Sequence, residues 1–146
     1  MENIFCKKRG NTVKLIVCLD DNLGMMFNRR RQSRDRELIA DVIRHTQNEA
    51  LWISPYSAPL FGEGNSSLRI ADDPIAAAGE NDYCFVENTP LPQNLDGVTE
   101  LIVYRWNRLY PSDVRFVCDT SAFTLAQTHE FVGSSHDKIT KEILKK

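Results

Sequence analysis

The sequence predicts a single α/β domain in which helices flank a mixed β-sheet and the chain ends in an antiparallel hairpin. The first observation is a β-branched apolar run at residues 13–20, which is typical of a strand buried on both faces. The second is the alternation of strand and helix patterns that follows it, and the third is a last third rich in hairpin strands. A length of 146 residues suits one domain, which we assign to residues 13–146 after a polar extension at residues 1–12.

Composition excludes several classes of protein. Hydrophobic residues make up 42% and charged residues 26% of the chain, as in globular domains rather than disordered or fibrous ones. A formal net charge of −2 gives no bulk attraction to nucleic acid or to acidic membranes. Apolar runs reach only about five residues, and residues 1–12 contain no apolar segment of a secretory signal. We therefore expect a cytoplasmic protein with no membrane partner, whose four cysteines are mostly buried thiols.

The first helix is predicted after a turn cluster at residues 20–22. Ser33 is a good N-cap residue, and Asp35 places negative charge in the first turn, where the helix dipole favours it. An apolar stripe at helical spacing runs to about His45 and consists of Leu38, Ile39, Val42 and Ile43. The pattern predicts an amphipathic helix that follows the first strand.

The remaining elements alternate and then become rich in strands. Before residue 97 the patterns predict strands at residues 50–53, 68–71 and 83–86, with short helices at 57–61 and from Pro74. Beyond it they predict strands at residues 98–106, 114–117, 123–132 and 138–144. A polar loop at residues 133–136 joins the last two strands as a hairpin.

Several of these segments resemble dihydrofolate reductase. Residues 16–28, IVCLDDNLGMMFN, resemble that family's first strand and its mobile substrate loop. The helix to Thr46 and the strand at 50–53 follow at the family spacing, and residues 100–104 and 111–116 resemble its late strand and acidic turn. Residues 123–130 and 138–144 resemble its final hairpin. The resemblance covers roughly residues 13–144 and implies a dihydrofolate-reductase-like fold.

The motifs that carry the family's chemistry are largely replaced. Its Gly-Arg-x-Thr cofactor segment falls on residues 54–57, SPYS, which lack the phosphate-binding arginine. Its Gly-Gly after the nicotinamide strand falls on Glu87 and Asn88, so the close backbone approach is lost, and its Pro-Trp falls near Arg31 and Gln32. The resemblance therefore implies the fold without the reductase activity, and it implies no bound cofactor.

The position of a catalytic carboxylate is ambiguous. The family's acidic residue falls on Glu37 or on Leu38, depending on the end of the helix from which the spacing is counted. Helical geometry puts Glu37 nearly opposite the apolar stripe, whereas Asp35 lies on the stripe side. The sequence leaves the catalytic residue unassigned.

The whole chain also resembles a group of short uncharacterised bacterial proteins, some of which carry a ribonuclease Z label. Two-metal phosphodiester hydrolysis needs clustered histidines and carboxylates, and the His-x-His-x-Asp-His pattern is absent here. His45, His129 and His136 are too far apart in sequence to form a chelating pair, so no metal ligand is predicted. Adjacent Ser134, Ser135 and His136 place a hydroxyl beside a base, but we interpret them as a hairpin turn.

Two clusters of charged and aromatic residues are candidates for binding. Five arginines lie within eight residues, at positions 29, 30, 31, 34 and 36, and could hold a phosphate or carboxylate or form a solvated loop paired with Asp35, Glu37 and Asp41. Residues 104–108, YRWNR, could stack and bind a flat anionic ring or form a half-buried strand end.

Our leading hypothesis is a dihydrofolate-reductase-like fold that binds an anionic, flat-ringed small molecule, nucleotide-like or pterin-like, without reductase chemistry. The residues expected to line the site are Asn28, Arg30, Arg31, Asp35, Arg105 and Trp106. A reductase of altered specificity, with Asp35 or Glu37 as the proton donor, is one alternative. An RNA-binding or RNA-processing protein that uses the arginines is the other, and the acidic total disfavours a nucleic-acid partner.

Overall fold

The structure is a computed structural model that describes residues 12–62 and 64–146. Its larger sheet has seven strands: β1 (Val13–Leu19), β4 (Leu51–Ile53), β5 (Leu68–Ile70), β6 (Asp82–Phe85), β7 (Val98–Arg105), β9 (Thr124–Phe131) and β10 (Ile139–Lys145). A three-stranded sheet contains β2 (Gly24–Phe27), β3 (Arg30–Arg31) and β8 (Val114–Arg115). The helices are α1 (Arg36–Thr46), α2 (Ala58–Phe61) and α3 (Pro74–Ala77).

The seven strands lie in the order β5-β4-β6-β1-β7-β10-β9. The strands from β5 to β7 run parallel, and β10 is antiparallel to both of its neighbours, β7 and β9. The first strand of the sequence therefore lies at the centre of the sheet, between β6 and β7. The predicted class, a mixed α/β sheet that ends in an antiparallel hairpin, is confirmed.

Alternate residues of the central strand serve two separate cores. Leu15 and Val17 belong to the cluster on one face of the sheet, and Ile16 belongs to the cluster on the other. All three side chains are fully buried, as the period of two along a strand requires when both faces are covered. Leu38 and Val42 of α1 pack into the second cluster, so the predicted apolar stripe does meet the sheet.

The helix α1 begins two residues later than the sequence pattern indicates. Its N-cap is Asp35, whose side chain accepts hydrogen bonds from the backbone of Glu37 and Leu38, while Ser33 lies outside the helix. Asp35 is the better cap here because its carboxylate also reaches groups beyond the helix. Among residues 12–62 and 64–146, no helix is long and apolar enough to span a bilayer.

Of the small sheet only β8 was predicted, as part of a strand at residues 114–117, whereas β2 and β3, of four and two residues, were not. Asn28 and Arg29 join β2 to β3 with positive φ angles of 52° and 63°. Two consecutive residues with positive φ form the type I′ turn that suits a tight hairpin. The hairpin brings β3 over the ends of the central strands, where the candidate site lies. Cys84 is buried and Cys18 and Cys118 are half-buried, whereas Cys6 and the extension up to residue 11 lie outside the described residues.

Candidate functional site

A narrow cleft lies at the carboxyl ends of the central parallel strands. Open α/β sheets bind their ligands at this edge, beside the strands where the direction of the connections reverses. The cleft is lined by Cys18 at the end of β1, Val86 and Glu87 after β6, Trp106 after β7, Met25 of β2, and residues 31–33. Half of the lining residues are apolar, and the two charged ones, Arg31 and Glu87, are half-buried.

An ion pair between Arg31 and Glu87 closes the mouth of this cleft. Arg31 Nε and Nη2 donate to the two carboxylate oxygens of Glu87 at 2.9 Å and 3.1 Å, a bidentate arrangement. The guanidinium also lies 4.4 Å from the centre of the Tyr56 ring, and Ser57 Oγ donates to Glu87 at 2.7 Å. The space left behind the pair is about 10 Å³, room for a single water molecule. A larger ligand has to displace the pair.

A second cluster, adjacent to the cleft, is built around the buried carboxylate of Asp35. Oδ1 accepts from the backbone N–H groups of Glu37, Leu38 and Ser134 at 2.9, 3.3 and 2.8 Å. Oδ2 accepts from the backbone N–H of Ser135 at 2.8 Å and from its hydroxyl at 3.2 Å. One side chain therefore joins the start of α1 to the loop between β9 and β10.

That loop approaches Asp35 so closely that only glycine fits at one position. A Cβ atom on Gly133 would contact the Asp35 carboxylate directly and would lie 2.9 Å from Ile139 Cδ1. Because Gly133 has no side chain, the backbone N–H groups of Ser134 and Ser135 can approach the Asp35 carboxylate.

His136 extends the cluster from Asp35 to the cleft. Its Nδ1 lies 3.0 Å from Asp35 Oδ2, and its Nε2 lies 3.1 Å from Ser33 Oγ and 2.9 Å from the Tyr110 hydroxyl. Trp106 stacks on the imidazole with the ring centres 4.6 Å apart, and His136 is buried, with 4% of its surface exposed. Ser33 is half-buried and lines the cleft.

The charge state of Asp35 fixes the orientation of this chain of groups. Burial acts to raise the pKa of the Asp35 carboxyl, but hydrogen bonds outweigh it, mainly those from the backbone of Ser134 and Ser135, and hold the pKa well below its usual range. An ionised carboxylate only accepts hydrogen bonds, so His136 donates through Nδ1. In the neutral imidazole, Nε2 then carries the lone pair that faces Ser33 and Tyr110.

A second buried carboxylate, Asp20, positions the loops that meet here. Its Oδ1 accepts from the backbone of Asn22 and Gly24, which shapes the turn from β1 to β2. Its Oδ2 accepts from Gln32 Nε2 at 3.1 Å and from the backbone of Tyr110 at 3.0 Å. Burial favours a higher pKa for Asp20, but these hydrogen bonds lower it below the ordinary value. The Tyr110 ring is thereby held against His136.

The structure brings together only some of the residues predicted to line a site. Arg31 and Trp106 line the cleft, although Arg31 is paired with Glu87 and one face of Trp106 covers His136. Asp35 is 3% exposed and is bonded within the fold.

The other three predicted residues lie away from the cleft. Arg105 forms an ion pair with Glu142 of β10 at 2.8 Å. Asn28 and Arg30 are exposed at the tip of the hairpin between β2 and β3, and the backbone N–H of Asn28 donates to Asp113.

Sequence reasoning did not place His136, Ser33, Tyr110 or Glu87 in a site. The sequence places a hydroxyl beside a base at residues 134–136, which we interpreted as a hairpin turn. These residues do lie in the loop between β9 and β10. The hydroxyl in the cleft that faces the imidazole is Ser33, which lies 103 residues away and which no local spacing could reveal.

No model of a known protein family matches the chain, and a search of curated proteins finds no match either. Among the residues that the structure describes, no group of three or more His, Cys, Asp or Glu side chains is placed to hold a metal ion.

Proposed function

We propose that the chain has a dihydrofolate-reductase-like fold and that its cleft binds an anionic, flat-ringed small molecule, nucleotide-like or pterin-like, without reductase chemistry. The observation that carries the proposal is the fork of Arg31 at the mouth of a cleft whose lining is half apolar. Glu87 occupies that fork as an internal carboxylate, in the geometry that a carboxylate or phosphate of a ligand would adopt. A ligand exchanges with Glu87 and opens the cleft.

Side chains occupy the place where the resemblance puts the cofactor's phosphates. Ser54 Oγ donates to Asn88 Oδ1 at 3.0 Å, and Ser57 Oγ donates to Glu87 at 2.7 Å. These bonds tie residues 54–57 to residues 87–88, the two segments in which the family's cofactor motifs are replaced. This arrangement favours a ligand other than a dinucleotide.

The exchange predicts opposite effects for the two partners of the ion pair. Glu87→Gln removes the competing charge, so we expect an anionic ligand to bind about tenfold tighter, which is roughly 1.4 kcal/mol. Arg31→Ala removes the fork and weakens binding by at least about tenfold. Arg44→Ala is the matched control, because Arg44 is an exposed arginine of α1 and does not line the cleft.

Isothermal titration calorimetry with matched probes separates the contribution of the ligand's charge to binding from that of its ring. Adenosine 5′-monophosphate is compared with adenosine, and pterin-6-carboxylate with pterin, on the wild type and the three variants. The anionic member of a pair is expected to bind and its neutral counterpart to bind much more weakly. If Glu87→Gln and Arg31→Ala leave the affinity of every probe unchanged, the cleft is not the binding site.

A reductase of altered specificity is the first alternative, and it needs a proton donor near the cleft. Asp35 is held ionised by its low pKa, and Glu37 is exposed on α1, so neither is placed to donate a proton. Oxidation of NADPH in the presence of any pterin would favour this alternative.

RNA binding is the second alternative, and one observation favours it. Arg29, Arg30, Arg34 and Arg36 are all exposed around the hairpin of β2 and β3 and the start of α1. Their charge could contact phosphates without any contribution from the cleft. A steep fall in oligonucleotide affinity with salt, removed by Arg34→Ala together with Arg36→Ala, would distinguish it from the small-molecule proposal.

A further inference from the structure

We propose that Ser33 is an acyl-accepting nucleophile, activated by His136 as general base and oriented through Asp35, and that the chain hydrolyses small carboxylic esters. This proposal does not depend on an anionic ligand, although both sites open into the same cleft. The three residues come from the segment before α1, the cap of α1 and the loop between β9 and β10. Their convergence in the fold is what carries the proposal.

The distances are those of a working nucleophile, base and orienting acid. Ser33 Oγ lies 3.1 Å from His136 Nε2, and His136 Nδ1 lies 3.0 Å from Asp35 Oδ2. General-base activation needs a hydrogen bond of about 2.6–3.2 Å between nucleophile and base, with the base oriented by a third group. Ser33 lines the cleft and the imidazole is buried behind it, so the hydroxyl is the member of the chain that meets a substrate.

The orienting acid holds the imidazole in one tautomer. Asp35 accepts from the backbone of both α1 and the final hairpin, so the carboxylate cannot rotate away from His136. Trp106, stacked at 4.6 Å, prevents the ring from tilting. A structural role for Asp35 needs only its bonds to the hairpin, and it does not require the free imidazole nitrogen to face a hydroxyl in the cleft.

Tyr110 supplies a donor next to the reacting atoms. Its hydroxyl lies 2.9 Å from His136 Nε2 and 3.4 Å from Ser33 Oγ. In the resting state it shares the imidazole with Ser33. When Ser33 attacks, the Tyr110 hydroxyl is the side-chain donor beside the carbonyl oxygen on which negative charge develops, the role that such hydroxyls take in oxyanion stabilisation.

The reaction proceeds in two balanced steps. In the first step Ser33 Oγ attacks the ester carbonyl carbon, and the hydroxyl proton moves to His136 Nε2. The bond from that carbon to the leaving oxygen then breaks, and the leaving oxygen takes the proton from Nε2. Water then gives a proton to Nε2 and attacks the acyl carbon, the bond to Ser33 Oγ breaks, and Oγ recovers the proton. The products are a carboxylic acid and an alcohol or phenol. The space beside Ser33 is about 10 Å³, so even a small acyl group such as acetyl enters only when the Arg31–Glu87 pair is displaced.

The test is acylation of the whole chain by p-nitrophenyl acetate, followed by intact mass and peptide mapping. We expect a burst of p-nitrophenol close to one equivalent and one acetyl group on Ser33. Ser33→Ala and His136→Gln are each expected to lower the burst rate at least about a hundredfold, in the range of general-base contributions. Ser121→Ala is the control, since Ser121 is an exposed serine in the turn before β9 and far from the cleft in sequence.

Two further variants keep the outcome decisive. Arg31→Ala opens the mouth of the cleft, so it is expected to acylate faster than the wild type if access is limiting. Asp35→Asn is expected to lower the burst rate constant, whereas a purely structural role would lower only the amplitude through loss of folded protein. No acetyl group on Ser33 in either the wild type or Arg31→Ala overturns the proposal, as does an acetyl group mapped to Tyr110.

Discussion

Asp35 shows how much a single carboxylate can contribute when every lone pair is used. Its oxygens accept six hydrogen bonds, from the start of α1 and from a loop about 100 residues further along the chain. A carboxylate at a helix N-cap is already favoured by the helix dipole. The additional donors from Ser134, Ser135 and His136 make it a link between the first helix and the last hairpin. Its charge is therefore part of the stability of the fold.

We predict that Asp35→Asn destabilises the protein in a pH-dependent way. The pKa of Asp35 is lower in the folded state than the unfolded value of about 3.9, so its contribution is fully present above about pH 4 and is lost as the pH falls through the folded pKa. At pH 7 the loss should be about 2–3 kcal/mol, as for hydrogen bonds to a charged group.

Urea unfolding of wild type and variant at pH 7 and pH 3 measures this directly. The difference in free energy of unfolding is expected to shrink at pH 3, because the wild type has then begun to lose the same contribution. An equal difference at both pH values would mean that the charge of Asp35 is not what stabilises the link.

At the scale of elements, α1 is fixed to the sheet by a polar cluster as well as by its apolar stripe. Lys141 of β10 donates to Asp41 Oδ2 and to His45 Nδ1, both at 2.9 Å, and the Tyr104 hydroxyl donates to Asp41 at 2.6 Å. The side chains of Lys141 and Asp41 are 11% and 14% exposed. Burial and the neighbouring Lys141 charge lower the pKa of His45, which keeps it neutral as the acceptor.

Two lysines of the same strand should differ sharply in their contribution. Lys141→Met removes the close cation of Asp41 and leaves only the exposed Arg44 at 3.5 Å, so we expect a loss of about 3 kcal/mol in the free energy of unfolding. Lys145→Met removes an ion pair to Glu100 that spans 3.7 Å and is 57% exposed on the lysine side, so a loss below about 1 kcal/mol is expected. Chemical denaturation of both variants provides the comparison, and similar losses would show that the cluster around Asp41 is not a buried link.

The elements also separate what local sequence encodes from what it does not. Residues 13–20 and 98–106 were predictable as strands because their own apolar runs define them, and α1 because its stripe recurs at helical spacing. The strands β2 and β3 were not, since two to four residues carry no period. The strand β8 lies within the predicted strand at residues 114–117, but its pairing with β2 depends on a distant partner. The start of α1 was predicted two residues too early for a related reason. Asp35 is favoured as the N-cap by a hydrogen bond from the backbone of Ser134, which is distant in sequence. The same distance hid Ser33 and His136 from each other.

At the scale of the whole molecule, the sheet is protected unevenly. The strands β1 and β7 lie inside it and are almost entirely buried, whereas β9 is an edge strand whose residues are nearly all exposed. An edge strand leaves half of its backbone groups unpaired. Among the strands that the structure describes, β9 pairs with β10 alone, so the outer strand is held by one ladder.

Amide hydrogen exchange should follow this gradient. We predict that the amides of β1 and β7 exchange only through global unfolding, while alternate amides of β9 exchange orders of magnitude faster because they face solvent. Measurement by NMR at several protein concentrations checks this. Protection of every amide in β9, growing with concentration, would instead indicate that a second chain pairs with this edge.

The position of β10 has a consequence for how the chain is made. It leaves the ribosome after the other described strands, yet it lies between β7 and β9 and covers the outer edge of β7. At translation rates of about 5–20 residues per second, the outer edge of β7 stays unpaired for several seconds before β10 is synthesised. A nascent chain in this interval presents an open template for strand pairing, and chaperones that bind extended apolar segments are the natural protection. A premature stop before residue 139 would make that exposure permanent and would direct the truncated product to aggregation rather than to a smaller stable fold.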